Sequence, residues 1–309
     1  MEEINNSKLK EVNKKRIYIT IDTEMDANLH WKKAWPPEYT SIYDGVVNFY
    51  RPLWDKYDAH PVYFLSPEIL YDDECVRIFK KEVEKGAIIG AHLHPEYIEP
   101  DMHPEEGRQK KASEFPCSAY STEIEQRKIE NLTLLIEEKI GVRPVWYRAA
   151  RFGADEDTYR ILDGLGYKYD SSATPGISWA DRGGIDYRNT SRYMYSIEGT
   201  GLTEMPVTLG GKRCGIFGKL LPDNWLFYKW LRPTHMTYLG MKLFLKEIMK
   251  KNKDSIDNGG DGSELVMMFH SMEIMIKKTP YVRWKWMQNY YLWRLEKIMK
   301  YAKKVGYEL

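Results

Sequence analysis

Cysteine is scarce in this 309-residue chain: only Cys75, Cys117 and Cys214 occur, and no two are close in sequence. Without a C-x-x-C pair, neither a disulfide framework nor a thiolate zinc site is expected. An excess of one charge is also missing. The 46 Lys and Arg balance 45 Asp and Glu for a net charge of +1, which lacks the basic footprint of a nucleic-acid binder. No apolar run is long enough to span a bilayer. Residues 1–15, MEEINNSKLKEVNKK, form a polar leader without the apolar core of a signal peptide, which predicts a cytoplasmic protein. Internal repeats and low-complexity tracts are absent, and self-association is left open.

Large side chains are what the chain has in quantity. Aromatic residues make up 14%, with 10 Trp and 23 Tyr. They serve either core packing or a stacking surface for flat ligands such as sugar rings. Hydrophobic residues at 43% and charged residues at 29% fit a soluble globular fold, read as one domain over 16–309.

Strand and helix patterns alternate. RIYITID (16–22), PVYFL (61–65), AIIGAH (87–92), VRPVWYRA (142–149) and YKYDSS (167–172) read as strands. Between them lie helical patterns over 41–57 with Ser41 as N-cap, 67–86, 121–141 ending at Gly141, and 155–166. Loop-like insertions cover about 95–120 and 173–236, the latter holding a strand pattern at 202–208. Helices over 234–251 and 281–306 flank a last strand, ELVMMFHS (264–271). This order predicts an α/β fold of parallel strands covered by helices, with an active site at the strands' carboxyl ends.

Acids and histidines gather at those ends. Asp22, Glu24 and Asp26 follow the first strand, His92 and His94 the third, and His270 the last. Residues two apart on extended backbone share a face, so Asp22 and Glu24 can enter one pocket, as can His92 and His94. Two imidazoles and a carboxylate are a common set for a catalytic divalent metal with an open position for water. A second carboxylate can take the water's proton, and an opposed histidine can protonate a leaving group. His60 reads as structural, and His30 and His235 as solvated loop residues.

At these residues the chain resembles the polysaccharide deacetylase family, the NodB-homology carbohydrate esterases, over about residues 16–309. TIDTE (20–24), GAHLHPE (90–96), YRAARFG (147–153), YDSS (169–172) and MMFHS (267–271) match that family's five motifs in order. The resemblance implies a distorted (β/α) barrel of seven strands that removes acetyl groups from sugars. It implies Asp22 as base and Glu24 as a metal ligand, with Thr23 standing where many members have a second Asp. His92 and His94 become the other ligands, although the family spaces its two histidines four apart. Glu96 and His103 are alternatives to His94, and Asp22 is an alternative to Glu24. Arg148 is implied to orient the base, or Arg151 in its place, with Arg151 otherwise on an anionic part of the substrate. His270 is implied as general acid, tuned by Asp170.

The expected cofactor is a divalent metal, Zn²⁺ first, with Co²⁺, Ni²⁺, Fe²⁺ or Mn²⁺ as alternatives. The expected substrate is an acetylated saccharide, a precursor or carrier-linked sugar of surface glycans, with Trp225 and Trp230 as stacking residues. Two rival readings are an amidase acting on a non-sugar C–N bond and a catalytically silent glycan-binding protein.

Overall fold

The computed structural model describes residues 15–33, 35–103, 119–212, 228–256 and 263–309. The leader up to residue 14, Trp225, Cys117 and Cys214 lie outside the described residues.

The alternation of the sequence becomes a sheet of nine strands among the described residues. These are β1 (Lys15–Thr23), β2 (Val62–Leu65), β3 (Ile88–Leu93), β4 (Trp146–Ala149), β5 (Tyr169–Asp170), β6 (Tyr195–Ser196), β7 (Thr203–Glu204), β10 (Glu264–His270) and β11 (Tyr307–Glu308). Their order is β10-β1-β2-β3-β4-β5-β7-β6, with β11 against the start of β1. Seven of them, from β10 to β7, run as one parallel series, as the barrel expectation requires. The extra two are a short antiparallel edge, β6, and the stub β11. The sheet curls until Thr208 stitches its ends together. Thr208 N–H donates to Val266 O (3.1 Å), and its Oγ1 accepts from Val266 N–H (2.8 Å). A separate two-stranded ribbon joins β8 (Leu209–Lys212) and β9 (Tyr228–Trp230). Strands of two to four residues are too short to carry a periodic signal, which is why 173–236 reads mostly as loop.

Alternation along each strand sorts side chains to two sides. Ile17, Ile19 and Ile21 of β1 join the main core with the covering helices, as do Tyr147, Ala149, Leu265, Met267 and Phe269. Tyr18, Val62, Phe64, Trp146, Val266 and Tyr169 fill the opposite, inner side of the curled sheet. Asp22, His92, Arg148 and His270 share the parity of this inner set, so they cap the inner layers at the strands' carboxyl ends.

The helices follow the expected order with informative differences. The first pattern is wound as a π-helix over Ser41–Tyr50 and continues as α1 (Arg51–Tyr57). Its N-terminus is capped by Asp26, not Ser41: the Asp26 carboxylate accepts from the N–H of Thr40 (3.0 Å) and Ser41 (3.1 Å). The pattern at 67–86 splits into a 3₁₀ turn, Pro67–Tyr71, and α2 (Asp73–Glu84). Asp72 in extended conformation accepts from Cys75 N–H and starts the second helix. Then come α3 (Thr122–Ile140), α4 (Glu156–Gly164), α5 (Tyr238–Ile256) and α6 (Lys285–Lys304). Gly141 ends α3 with φ of 90°, the left-handed stop expected there. No described helix is long and apolar enough to cross a membrane.

One inner contact makes a sharp prediction. A Cβ on Gly90 would lie 2.6 and 2.7 Å from Phe64 ring carbons and 3.1 Å from Trp146 O. Gly90→Ala is expected to destabilise the fold by roughly 1–3 kcal/mol through overpacking. Denaturant titration measures it, and Phe64→Leu in the same chain should restore part of the loss.

Candidate active site

Strand register builds the site. β1 sets Asp22 beside His270 of β10, and β3 sets His92 beside Arg148 of β4. Glu24, two residues past Asp22, keeps the same face and reaches across to the imidazoles. Glu24 Oε1 lies 3.3 Å from His92 Nε2, 3.4 Å from His94 Nε2 and 3.6 Å from His270 Nε2. One ligand atom each from Glu24, His92 and His94 fall within 4.8 Å of one another, and all three residues are buried.

These residues fit a small divalent cation. Donor atoms about 2.0–2.1 Å from a tetrahedral zinc stand roughly 3.3–3.4 Å from each other, close to the carboxylate–imidazole distances found here. The tautomers fit as well. His92 Nδ1 lies 2.9 Å from Arg148 O, a carbonyl that can only accept, so Nδ1 carries the proton and Nε2 presents its lone pair. His94 Nδ1 is held likewise by Glu96 Oε1 at 3.2 Å. Glu96 thus stands beside His94, outside the Glu24, His92 and His94 cluster. Its other oxygen, Oε2, is buried with no hydrogen-bond partner among the described residues. The alternative ligand His103 turns Nδ1 to Asp101 O and stays outside the cluster.

Electrostatics keep the acids ionised. Burial pushes Glu24 up, but the Lys33 ammonium first, and then the adjoining His94 and His92, hold it well below the usual carboxylate range. Lys33 contacts Glu24 Oε2, the oxygen turned away from the imidazoles, and its Nζ lies 3.3 Å from Met25 O. It arrives there because the turn over 27–33 folds back through an Ala27–Lys33 bridge and the Asn28 side chain, which accepts from the N–H of His30 and Lys32. His94 is opposed by burial but raised to about 9 by Glu24 and Glu96 on either side.

Asp22 has a different neighbour. Arg148 is fully buried and donates to Asp22 Oδ1 (2.6 Å), Thr20 Oγ1 (3.0 Å), Ser171 O (2.8 Å) and Ser171 Oγ (2.8 Å). Burial opposes the Asp22 charge, yet Arg148 first, then His92 and His270, hold its carboxyl below the usual range. Arg151, the alternative partner, turns instead to Glu96, with Nη2 3.3 Å from Oε1.

Asp170 departs from expectation. In β5 it pairs in register with Tyr147 and Glu204, on the helix-facing side of the sheet, whereas Ser171 takes the inner side beside Arg148. The described partners of Asp170 are Ser172 and Glu204. Burial and the Asp170 charge push Glu204 far above the usual range, so that the pair holds a proton.

The residues behind His270 belong to no motif of the sequence. His270 Nδ1 lies 3.1 Å from Glu273 Oε1, and Arg232 pairs with both Glu273 oxygens. Burial opposes the Glu273 charge, but Arg232 and His270 keep it depressed. The one available signal was Glu273 three places after His270, in the turn that follows the strand. His270 Nε2 points back to Asp22 Oδ2 (4.0 Å) and Glu24.

A cleft of about 270 Å³ opens at His270, lined by Trp31, Phe152, Trp179, Trp230 and Tyr281 with the guanidinium-bearing Arg151, Arg182 and Arg232. Trp230 and Arg151, both expected to contact substrate, line this cleft. His235, expected in solvent, is buried between Trp230 and Tyr281. Trp31, Arg151 and Phe152 all have positive φ, of 58°, 57° and 62°. Such angles are costly for side chains of this size and concentrate at functional surfaces. Here they turn two rings and a guanidinium into one cleft.

No family model matches the sequence, and no curated protein matches it. Among solved structures, a GH57 branching enzyme from Thermococcus kodakaraensis aligns with a TM-score of 0.51 at 10% identity, over 96% of this chain and 70% of that one. A family 4 carbohydrate esterase from Streptomyces lividans, in complex with acetate, aligns at 0.44 and 8% identity, over 95% and 90% of the two chains. A peptidoglycan deacetylase from Bacillus subtilis aligns at 0.43 and 12% identity, over 96% and 88%. The first of these likenesses, at 10% identity, is one of fold.

Proposed function

We propose that this chain is a metal-dependent deacetylase that hydrolyses an N-acetyl or O-acetyl group of a sugar, with a precursor or carrier-linked saccharide of surface glycans as the substrate. One observation supports it above others. A Glu-His-His cluster with metal-ligand spacing is flanked by an Arg-held carboxylate on one side and a Glu-held histidine on the other.

Glu24 Oε1, His92 Nε2 and His94 Nε2 would hold a divalent cation, with Zn²⁺ favoured by the mixed N/O donors. When bound, that cation supplies Lewis acidity toward the acetyl carbonyl and the attacking water. The protein's own groups do the rest. Arg148 occupies Asp22 Oδ1 and leaves Oδ2 to accept the proton of the attacking water. His270, oriented by the contacts of its Nδ1 with Glu273 and Arg232, gives a proton from Nε2 to the departing sugar nitrogen or oxygen. The aromatic walls of the cleft pack against sugar rings, and Arg151 orients the substrate from the Glu96 side.

Acetate release tests this on N-acetyl sugars in free, nucleotide-linked and lipid-diphosphate-linked form, with Zn²⁺ supplied. Acetate and a free amine should appear in equal amounts for one class. Asp22→Asn should lower the rate by about 10²–10⁴-fold while metal content stays unchanged. Metal-loaded protein that releases no acetate from any of them would contradict the reading.

A silent glycan-binding protein is the second reading, and the Lys33–Glu24 ion pair favours it, because an ammonium already neutralises the carboxylate. Glycan binding with neither metal uptake nor acetate release would decide for it.

A further inference from the structure

Away from the cleft, α5 and α6 lie side by side, with Tyr238 against Trp293 (5.7 Å between rings) and Lys242 over Tyr301 (5.3 Å). Both turn an unusual face outward. On α6, Trp286 and Trp293 are 64% and 43% exposed, with Tyr290 stacked on Trp293. At helical spacing these three share a stripe that continues into Lys297, Lys300 and Lys304. On α5, Leu239 and Leu243 are 61% and 55% exposed, and their stripe continues into Lys246 and Lys250. Each helix thus presents an apolar half followed by a lysine half. Lys246, Lys250, Lys300 and Lys304 make no ion pair among the described residues.

The charge is local. Residues 277–304 hold nine Lys and Arg against one Glu, in a chain whose net charge is only +1, so the remainder is acidic overall. That single acid, Glu296, is turned to Lys56 and Tyr57.

We propose that this face docks on the surface of a bilayer rich in anionic lipid. Exposed Trp, Tyr and Leu match the headgroup–acyl boundary, and neighbouring lysines match anionic headgroups. A second copy of the chain fits poorly, because two such faces would oppose lysine with lysine. Contact is peripheral, since no described helix can cross a bilayer. The face begins beside the cleft: Tyr281 lines the cleft, and Trp284, three residues on, is 58% exposed. Docking is independent of the catalytic reading.

Flotation of the full chain with vesicles tests it. Phosphatidylcholine vesicles containing roughly one-third phosphatidylserine should bind at least about tenfold more protein than pure phosphatidylcholine vesicles, and high salt should remove most of that difference. Trp286→Ala with Trp293→Ala, and separately Lys300→Glu with Lys304→Glu, should each lower binding by about tenfold; all four positions are exposed, and unchanged circular dichroism confirms folding. Absence of binding to anionic vesicles overturns the proposal. So does equal, salt-insensitive binding to neutral ones. A dimer in sedimentation that the same substitutions dissolve, without vesicle binding, assigns the face to a second copy instead.

Discussion

His92→Ala is expected to empty the site: bound metal falls from one ion per chain to near none, and deacetylation drops on the order of 1,000-fold or more. His92 is the best fixed of the three ligand candidates. Its Nδ1 is tied to Arg148 O on the adjacent strand, and its Nε2 meets Glu24 Oε1 at 3.3 Å. Removing the ring leaves one imidazole and one carboxylate, too few to hold a zinc ion tightly at neutral pH. Glu96→Gln should act more mildly. It keeps the ligands but loosens His94, and should weaken metal affinity by about 10–100-fold. Metal analysis after dialysis, with acetate release on the same samples, separates the two variants. Full metal retention by His92→Ala would remove that residue from the ligand set.

The second large effect concerns stability. Arg148→Met should cost about 3–5 kcal/mol at neutral pH, because it strands the Asp22 charge in a buried site. The pH dependence should also change sign. In the native chain Asp22 titrates below its ordinary range, so its contribution is present above that range and is lost as pH falls through the lowered value. Without the guanidinium, burial becomes the dominant influence and the folded Asp22 should titrate above its ordinary range. Its contribution is then present below the unfolded value and lost as pH rises through the folded one. Denaturation at a series of acidic to neutral pH values shows the two opposite slopes. Adding Asp22→Asn to Arg148→Met should restore most of the stability, since the stranded charge is gone.

Much of this was legible in the sequence because the strands around the site are regular. Period-two alternation placed Asp22 with Glu24 and His92 with His94, and strand-end position placed His270 among them. Parity would also have separated Asp170 from Ser171, but β5 pairs over only two residues, too few to reveal which face is inner. Asp26 looked like a third site acid because it continues the alternation. The chain has left the strand by then, and the nearby helix N-terminus captures its carboxylate. Lys33, Arg232 and Glu273 were hidden for another reason. They reach the site through a turn, a loop and a 3₁₀ segment, where spacing in sequence does not fix direction in space. The aromatic excess was visible, but its division between cleft and outer helices needed the packing.

The most direct measurement is anomalous diffraction from crystals soaked in Zn²⁺. One peak is expected within coordination distance of Glu24 Oε1, His92 Nε2 and His94 Nε2, with Asp22 and His270 beside it and outside the ligand set. A peak elsewhere, or none while Lys33 keeps its hold on Glu24, would contradict that assignment.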